Sequence, residues 1–117
     1  MEIDKTFHRG DVFIADLGTS CGSEQGGRRP VVIIQNDIGC IYAPTVTILP
    51  VTANLKKLNQ STHRLLKNVP FLRKKSMVLG EQIGTIDKSR ISYYLGKLDH
   101  EDLDGIDEAV KRHLGFY

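Results

Sequence analysis

The chain has 117 residues, a net charge of +2 and 40% hydrophobic side chains, which is the size and composition of one domain, spanning residues 1–117, with one core. No apolar run approaches the roughly 20 residues of a membrane helix, and the polar start MEIDKTFHRG is unlike a signal peptide; a cytoplasmic protein is expected rather than a secreted, membrane or disordered one. Cys21 and Cys40 fit no metal or CxxC spacing, so they read as free thiols. The charge is uneven: residues 55–75 hold seven basic side chains and no acidic one, the footprint of a polyanion binder or of a solvated face.

Asp11–Asp16 reads as the first strand, with Phe13 and β-branched residues between polar ends. Leu17–Arg28 is glycine-rich, has no hydrophobic period and reads as a loop. Pro30–Gln35 is continuously apolar and β-branched, a strand buried on both faces. Asn36-Asp37-Ile38-Gly39 has turn chemistry. Thr45–Thr52 is the third strand, in which Pro50 points to an edge or bulge. Residues 53–61 could hold one short helical turn. Thr62–Lys67, Met77–Ile83 and Ile91–Leu95 read as further strands, with a turn at Thr85–Lys88.

The C-terminal helix is the clearest element. Asp99 is an N-cap candidate, with Glu101 and Asp102 favourably placed in the first turn. Leu103, Ile106, Val110 and Leu114 form one stripe, and Gly115 is a natural stop. Asp107–Lys111 and Glu108–Arg112 are i,i+4 pairs. These elements predict a mainly β protein with a C-terminal helix, a small barrel or strongly curved sheet.

The densest feature is Gly22-Ser-Glu-Gln-Gly-Gly27-Arg28-Arg29. It narrowly misses a phosphate-binding P-loop, because arginines replace the lysine and hydroxyl residue and a strand follows in place of a helix. Two arginines at the start of a rigid strand nevertheless offer positioned, always-charged forks suited to phosphate. If the second and third strands pair, Arg29 and Thr52 could meet there. A cation and a hydroxyl suffice in principle to cleave RNA without metal, since the substrate carries its own 2′-hydroxyl nucleophile. His8, His63, His100 and His113 show no ligand spacing. His63 is a possible acid or base, though a surface position is the simpler expectation.

At these residues the chain resembles the MazF/PemK/Kid toxins of bacterial toxin–antitoxin modules. The resemblance is carried by Arg9-Gly10-Asp11-Val12, Gly22–Gly27, Arg29-Pro30-Val31, Gln35-Asn36-Asp37, Pro44-Thr45, Thr52, Glu81-Gln82-Ile83 and Thr85-Ile86-Asp87. It implies an SH3-like barrel of the CcdB/MazF type. It implies a homodimeric, growth-arresting endoribonuclease that cuts single-stranded mRNA at a short sequence, without metal or cofactor, to 2′,3′-cyclic phosphate and 5′-hydroxyl ends. It also implies a MazE-like antitoxin with an acidic tail, and operator DNA reached only through that antitoxin. Arg29 and Thr52 occupy the family's catalytic positions. Ser23, Glu24, Gln25, Gly26 and Gln82 fall near the RNA, where Arg28, Lys56, Lys57, Arg64 and Lys67 could contact its backbone. Gly84 stands where many relatives carry arginine. A catalytically inactive chain that sequesters an antitoxin, and a CcdB-like gyrase poison, are the alternative readings.

Overall fold

The structure, a computed structural model, describes residues 6–18 and 26–116. Among these residues seven strands and two α-helices follow in the order β1 (Asp11–Asp16), β2 (Arg28–Ile33), α1 (Asp37–Tyr42), β3 (Thr45–Thr52), β4 (His63–Leu65), β5 (Met77–Leu79), β6 (Gly84–Asp87), β7 (Ile91–Lys97) and α2 (His100–Leu114). The sheet is antiparallel throughout, in the order β4-β5-β3-β2-β1-β7, with β6 also on β3. The sheet carries one C-terminal helix, but it is not closed into the expected barrel: among the described residues no pairing joins β4 to β7.

β3 organises the fold. Thr45–Ile48 pairs with β6, whereas Val51–Thr52 pairs with β5. Pro50 falls between these pairings, where a residue without an N–H costs least. Side-chain alternation then builds two cores. Phe13, Ala15, Val31, Ile33, Val46 and Ile48 face one side with Phe7, Cys40 and Ile91. Val12, Val32, Leu49, Val51 and Val78 face the other, under Leu98 and Ile106 of the α2 segment. Fully burying a side chain such as Ile106 contributes about 2–3 kcal/mol.

Several local expectations are corrected by these pairings. β2 begins at Arg28, not Pro30, because β1 pairs with it from Asp16↔Arg28 onward. Asn36 caps a helix where a turn was expected, its side chain accepting from Gly39 N. Residues 53–61 form no helix. The strand expected over Thr62–Lys67 shortens to His63–Leu65, and the one expected over Met77–Ile83 stops at Leu79, where a 3-10 turn spans Gly80–Gln82. Thr85–Asp87, expected as a turn, belongs to β6 because β3 offers it an open edge.

α2 is capped as its sequence predicts: Asp102 N donates to the Asp99 side chain, and Gly115 takes a left-handed φ of 81°. Glu108 pairs with Arg112 at 3.0 Å, but Asp107 turns away from Lys111 to meet Arg9. Asp102, expected only to favour the helix dipole, is 1% exposed and accepts from Lys67 N and Asn68 N, each at 2.9 Å. No described helix is long and apolar enough to cross a membrane. Cys40 is free and buried; Cys21 lies outside the described residues, as do the first five residues.

Candidate RNA-binding and cleavage site

β2 and β3 pair in the register Val31↔Pro50, Val32↔Leu49 and Ile33↔Ile48. Continued two residues outward, this register sets Arg29 opposite Thr52. Alternation gives Arg29 the parity of Val31 and Ile33, and Thr52 that of Ile48, so both extend the same sheet face beyond its core. The β-propensity that explains a threonine in a strand therefore also delivers its hydroxyl to this position.

Local bonds fix both side chains. Arg29 Nε donates to Gly26 O at 2.8 Å, which sets the guanidinium plane. Thr52, 8% exposed, accepts from Asn54 N at 3.1 Å, and its own O–H is still able to donate. The loop base is clamped by Leu17 N to Gly27 O at 3.0 Å and Gly27 N to Gly18 O at 2.8 Å. Gly18 and Gly27 take φ of 73° and 74° there, a conformation that favours glycine. On the same sheet face a groove of about 390 Å³ is lined by Leu17, Ile48, Pro50, Gln82 and Gly84.

The other expected site residues divide. Ser23, Glu24 and Gln25 lie outside the described residues. Gly26 holds Arg29. Arg28 sits opposite Asp16 on β1, and strand alternation turns it to the face away from Arg29. Lys56, Lys57 and Gln82 share a second pocket of about 240 Å³ with Gln60, His63, Leu79 and Glu81. Arg64 and Lys67 turn instead to α2. The Arg64 guanidinium lies against Gly105, where a Cβ would come within 2.1 Å of its Nε, and Lys67 Nζ is 3.5 Å from Glu101.

His63 is the residue the sequence placed least well. It is 8% exposed, not on the surface, and its Nε2 lies 3.0 Å from Glu81 Oε2. Burial pushes the Glu81 carboxyl up, but hydrogen bonds from its own backbone and from His63 outweigh this and hold it below the ordinary carboxylate range. No local spacing signals this pair, because its members come from separate strand ends. Among the described residues no three His, Cys, Asp or Glu side chains gather as metal ligands.

Fold and site define a small antiparallel β protein that presents a guanidinium and a hydroxyl from neighbouring strand ends, with a basic loop nearby. Residues 8–114 match the family of PemK-like, MazF-like toxins of type II toxin–antitoxin systems. The chain is 46% identical over 108 residues to Endoribonuclease EndoA of Bacillus subtilis (strain 168), covering 91% of this chain and 92% of that protein. Its fold is shared with MazF (Form-I) from Deinococcus radiodurans, at a TM-score of 0.82 and 21% identity, over 96% of this chain and 99% of that one. A mycobacterial endoribonuclease in complex with its cognate antitoxin gives a TM-score of 0.80 at 23% identity, over 94% and 96% of the two chains. The chain therefore belongs to the PemK-like, MazF-like toxin family.

Proposed function

We propose that this chain cleaves single-stranded RNA at a short sequence, without metal, using Arg29 and Thr52. It is an endoribonuclease toxin of a type II toxin–antitoxin system, and the finer reading concerns how it cuts. The observation that carries it is the β2–β3 register, which brings Arg29 and Thr52 to one end of one sheet face.

In this reading the 2′-hydroxyl attacks the adjacent phosphorus and the bond to the 5′-oxygen breaks. The 2′-hydroxyl loses its proton and the 5′-oxygen gains one, leaving a 2′,3′-cyclic phosphate and a 5′-hydroxyl. Charge builds on the phosphoryl oxygens as the fifth bond forms. Arg29 stabilises that charge with a planar, charged fork. Its guanidinium is a poor base, so its role is electrostatic. Thr52 donates its hydroxyl to a phosphate oxygen and orients the attacking group. Gln82 lines both the groove beside Pro50 and the pocket that holds Lys56 and Lys57, which supports a path for the RNA backbone from one to the other.

The working unit is a homodimer. The exposed Leu114 and Phe116 at the end of α2, which line a groove with Ile34, Ile83 and Val110, support a self-association surface. A MazE-like antitoxin with an acidic segment would cover the basic RNA path, and operator DNA would be reached only through it.

The test is incubation with a long single-stranded RNA in EDTA, beside Arg29→Ala and Thr52→Ala. Discrete fragments with cyclic-phosphate ends, lost in both variants, are expected. Intact RNA in several transcripts would overturn the reading in favour of an antitoxin-sequestering or enzyme-poisoning protein.

A further inference from the structure

We infer that His63 is a positioning residue that pre-sets Lys56 and Lys57 for RNA phosphates, by tying their turn to the sheet beside Gln82. The inference rests on the RNA-cleavage reading above and adds a role to a buried group which that mechanism does not use.

Three contacts define the role. His63 Nδ1 lies 3.2 Å from Lys56 O and 3.1 Å from Lys57 O, while Nε2 lies 3.0 Å from Glu81 Oε2. The two carbonyls can only accept, so Nδ1 carries a hydrogen. The Glu81 carboxylate, facing the other ring nitrogen, also only accepts. With both ring nitrogens engaged inside the fold, His63 is poorly placed to exchange a proton with substrate. Its geometry is that of a tether between the 53–62 segment and the Gly80–Gln82 turn.

The turn it holds is costly. Lys57 takes φ of 50°, the left-handed region that a lysine side chain disfavours. Glycine or asparagine would relieve the backbone there, but glycine would remove the ammonium. The turn is closed by Gln60 N to Lys57 O at 2.9 Å and His63 N to Gln60 O at 3.0 Å. The Lys57 carbonyl thus accepts from both the turn and the imidazole.

The consequence is a fixed rim. Lys56, Lys57 and Gln60 form one wall of the 240 Å³ pocket, Glu81 and Gln82 the other, and His63 lies between them. Both lysines are exposed. Held on a set turn, they lose less freedom when they meet phosphates than lysines on a loose loop would.

The test uses the whole chain and a short single-stranded RNA that the wild type cuts, with kcat and KM measured over a range of NaCl. Lys56→Ala/Lys57→Ala should lower the salt slope of log KM by about 1.4, or about 0.7 for each phosphate contact on a single strand. His63→Gln, whose amide reaches Glu81 but not the carbonyls, should reproduce that flattening. It should raise KM about tenfold with kcat within about twofold, and add little in the Lys56→Ala/Lys57→Ala background. His63→Asn, whose amide sits near the Nδ1 position, should restore the wild-type slope. A protected Nδ1–H signal in the imidazole NMR spectrum of the wild type is expected independently of any variant's stability.

A His63→Gln protein with the wild-type salt slope would overturn the inference. So would flattening in both His63 variants, an unprotonated Nδ1, or a fall in kcat with KM unchanged. Wild-type protein that neither binds nor cuts RNA would instead defeat the cleavage reading itself, and the inference with it.

Discussion

Arg29 and Thr52 lie far apart in the chain, yet the β2–β3 register, extended two residues beyond Val31↔Pro50, sets them opposite one another on the same sheet face. One is held by Gly26 O and the other by Asn54 N. If this pair is the catalytic centre, Arg29→Ala lowers kcat about a hundred- to thousandfold, the usual cost of losing one donor to a developing charge. Thr52→Val keeps the shape and strand preference but lacks the hydroxyl, and should lose activity. Thr52→Ser should stay within about tenfold of wild type. Single-turnover cleavage of a short RNA, with circular dichroism as the folding control, checks all three.

Acid should weaken the fold partly through Glu81. Its carboxyl is held below its ordinary value of 4.5, so the folded state binds that proton less readily than the unfolded chain. The resulting stability is present above about pH 4.5 and is lost as the pH falls through the lower, folded value. Urea midpoints measured from pH 7 to pH 3 should fall in the wild type. They should fall less in Glu81→Gln, which has no proton to gain.

Asp102 should be worth more to stability than its place in the first helical turn implies. It is buried and accepts from Lys67 N and Asn68 N. Asp102→Ala strands both donors and should cost about 3 kcal/mol. A urea melt with an unchanged m-value would report this as stability alone.

Gly80 is buried where α2 meets the β4 segment. A Cβ there would lie 2.9 Å from Ala109 O and 3.0 Å from Thr62 O, both backbone atoms. Gly80→Ala should destabilise by about 1–3 kcal/mol. Gly105→Ala should cost less, because its obstacle is the end of the Arg64 side chain, which can swing aside. Comparing the two thermal midpoints checks the order.

Gly84 can accept a side chain. The nearest atom to an added Cβ is Gln82 O at 3.8 Å. Gly84→Arg should therefore fold like the wild type and place a cation beside the groove lined by Pro50 and Gln82. RNA affinity should rise, and the salt slope should steepen by about 0.7. Fluorescence anisotropy with a labelled RNA oligomer, in the Arg29→Ala background to prevent cleavage, measures both.

The strands that sequence delimits best are those whose ends are set by local chemistry. Asp16 before a glycine-rich stretch closes β1, and Thr45 and Thr52 bound β3 without error. α2 was legible for the same reason, since Asp99, the apolar stripe and Gly115 each act within a turn or two. The motif succession from Arg9 to Asp87 also carried the family.

Pairing and burial are non-local, and they decided the rest. Thr85–Asp87 became strand because β3 had an edge free for it. Asp107 left its helical neighbour for Arg9, whose N-terminal position sequence spacing could not bring close. Arg64 and Lys67 share a basic stretch with Lys56 and Lys57, but β4 and the buried Asp102 direct them to α2. His63, expected at the surface, became interior because Glu81 and two lysine carbonyls converge on it. Sequence determined which residue types and which local caps and turns were available. Only the three-dimensional pairing of β3 with three other strands determined which of them share a face.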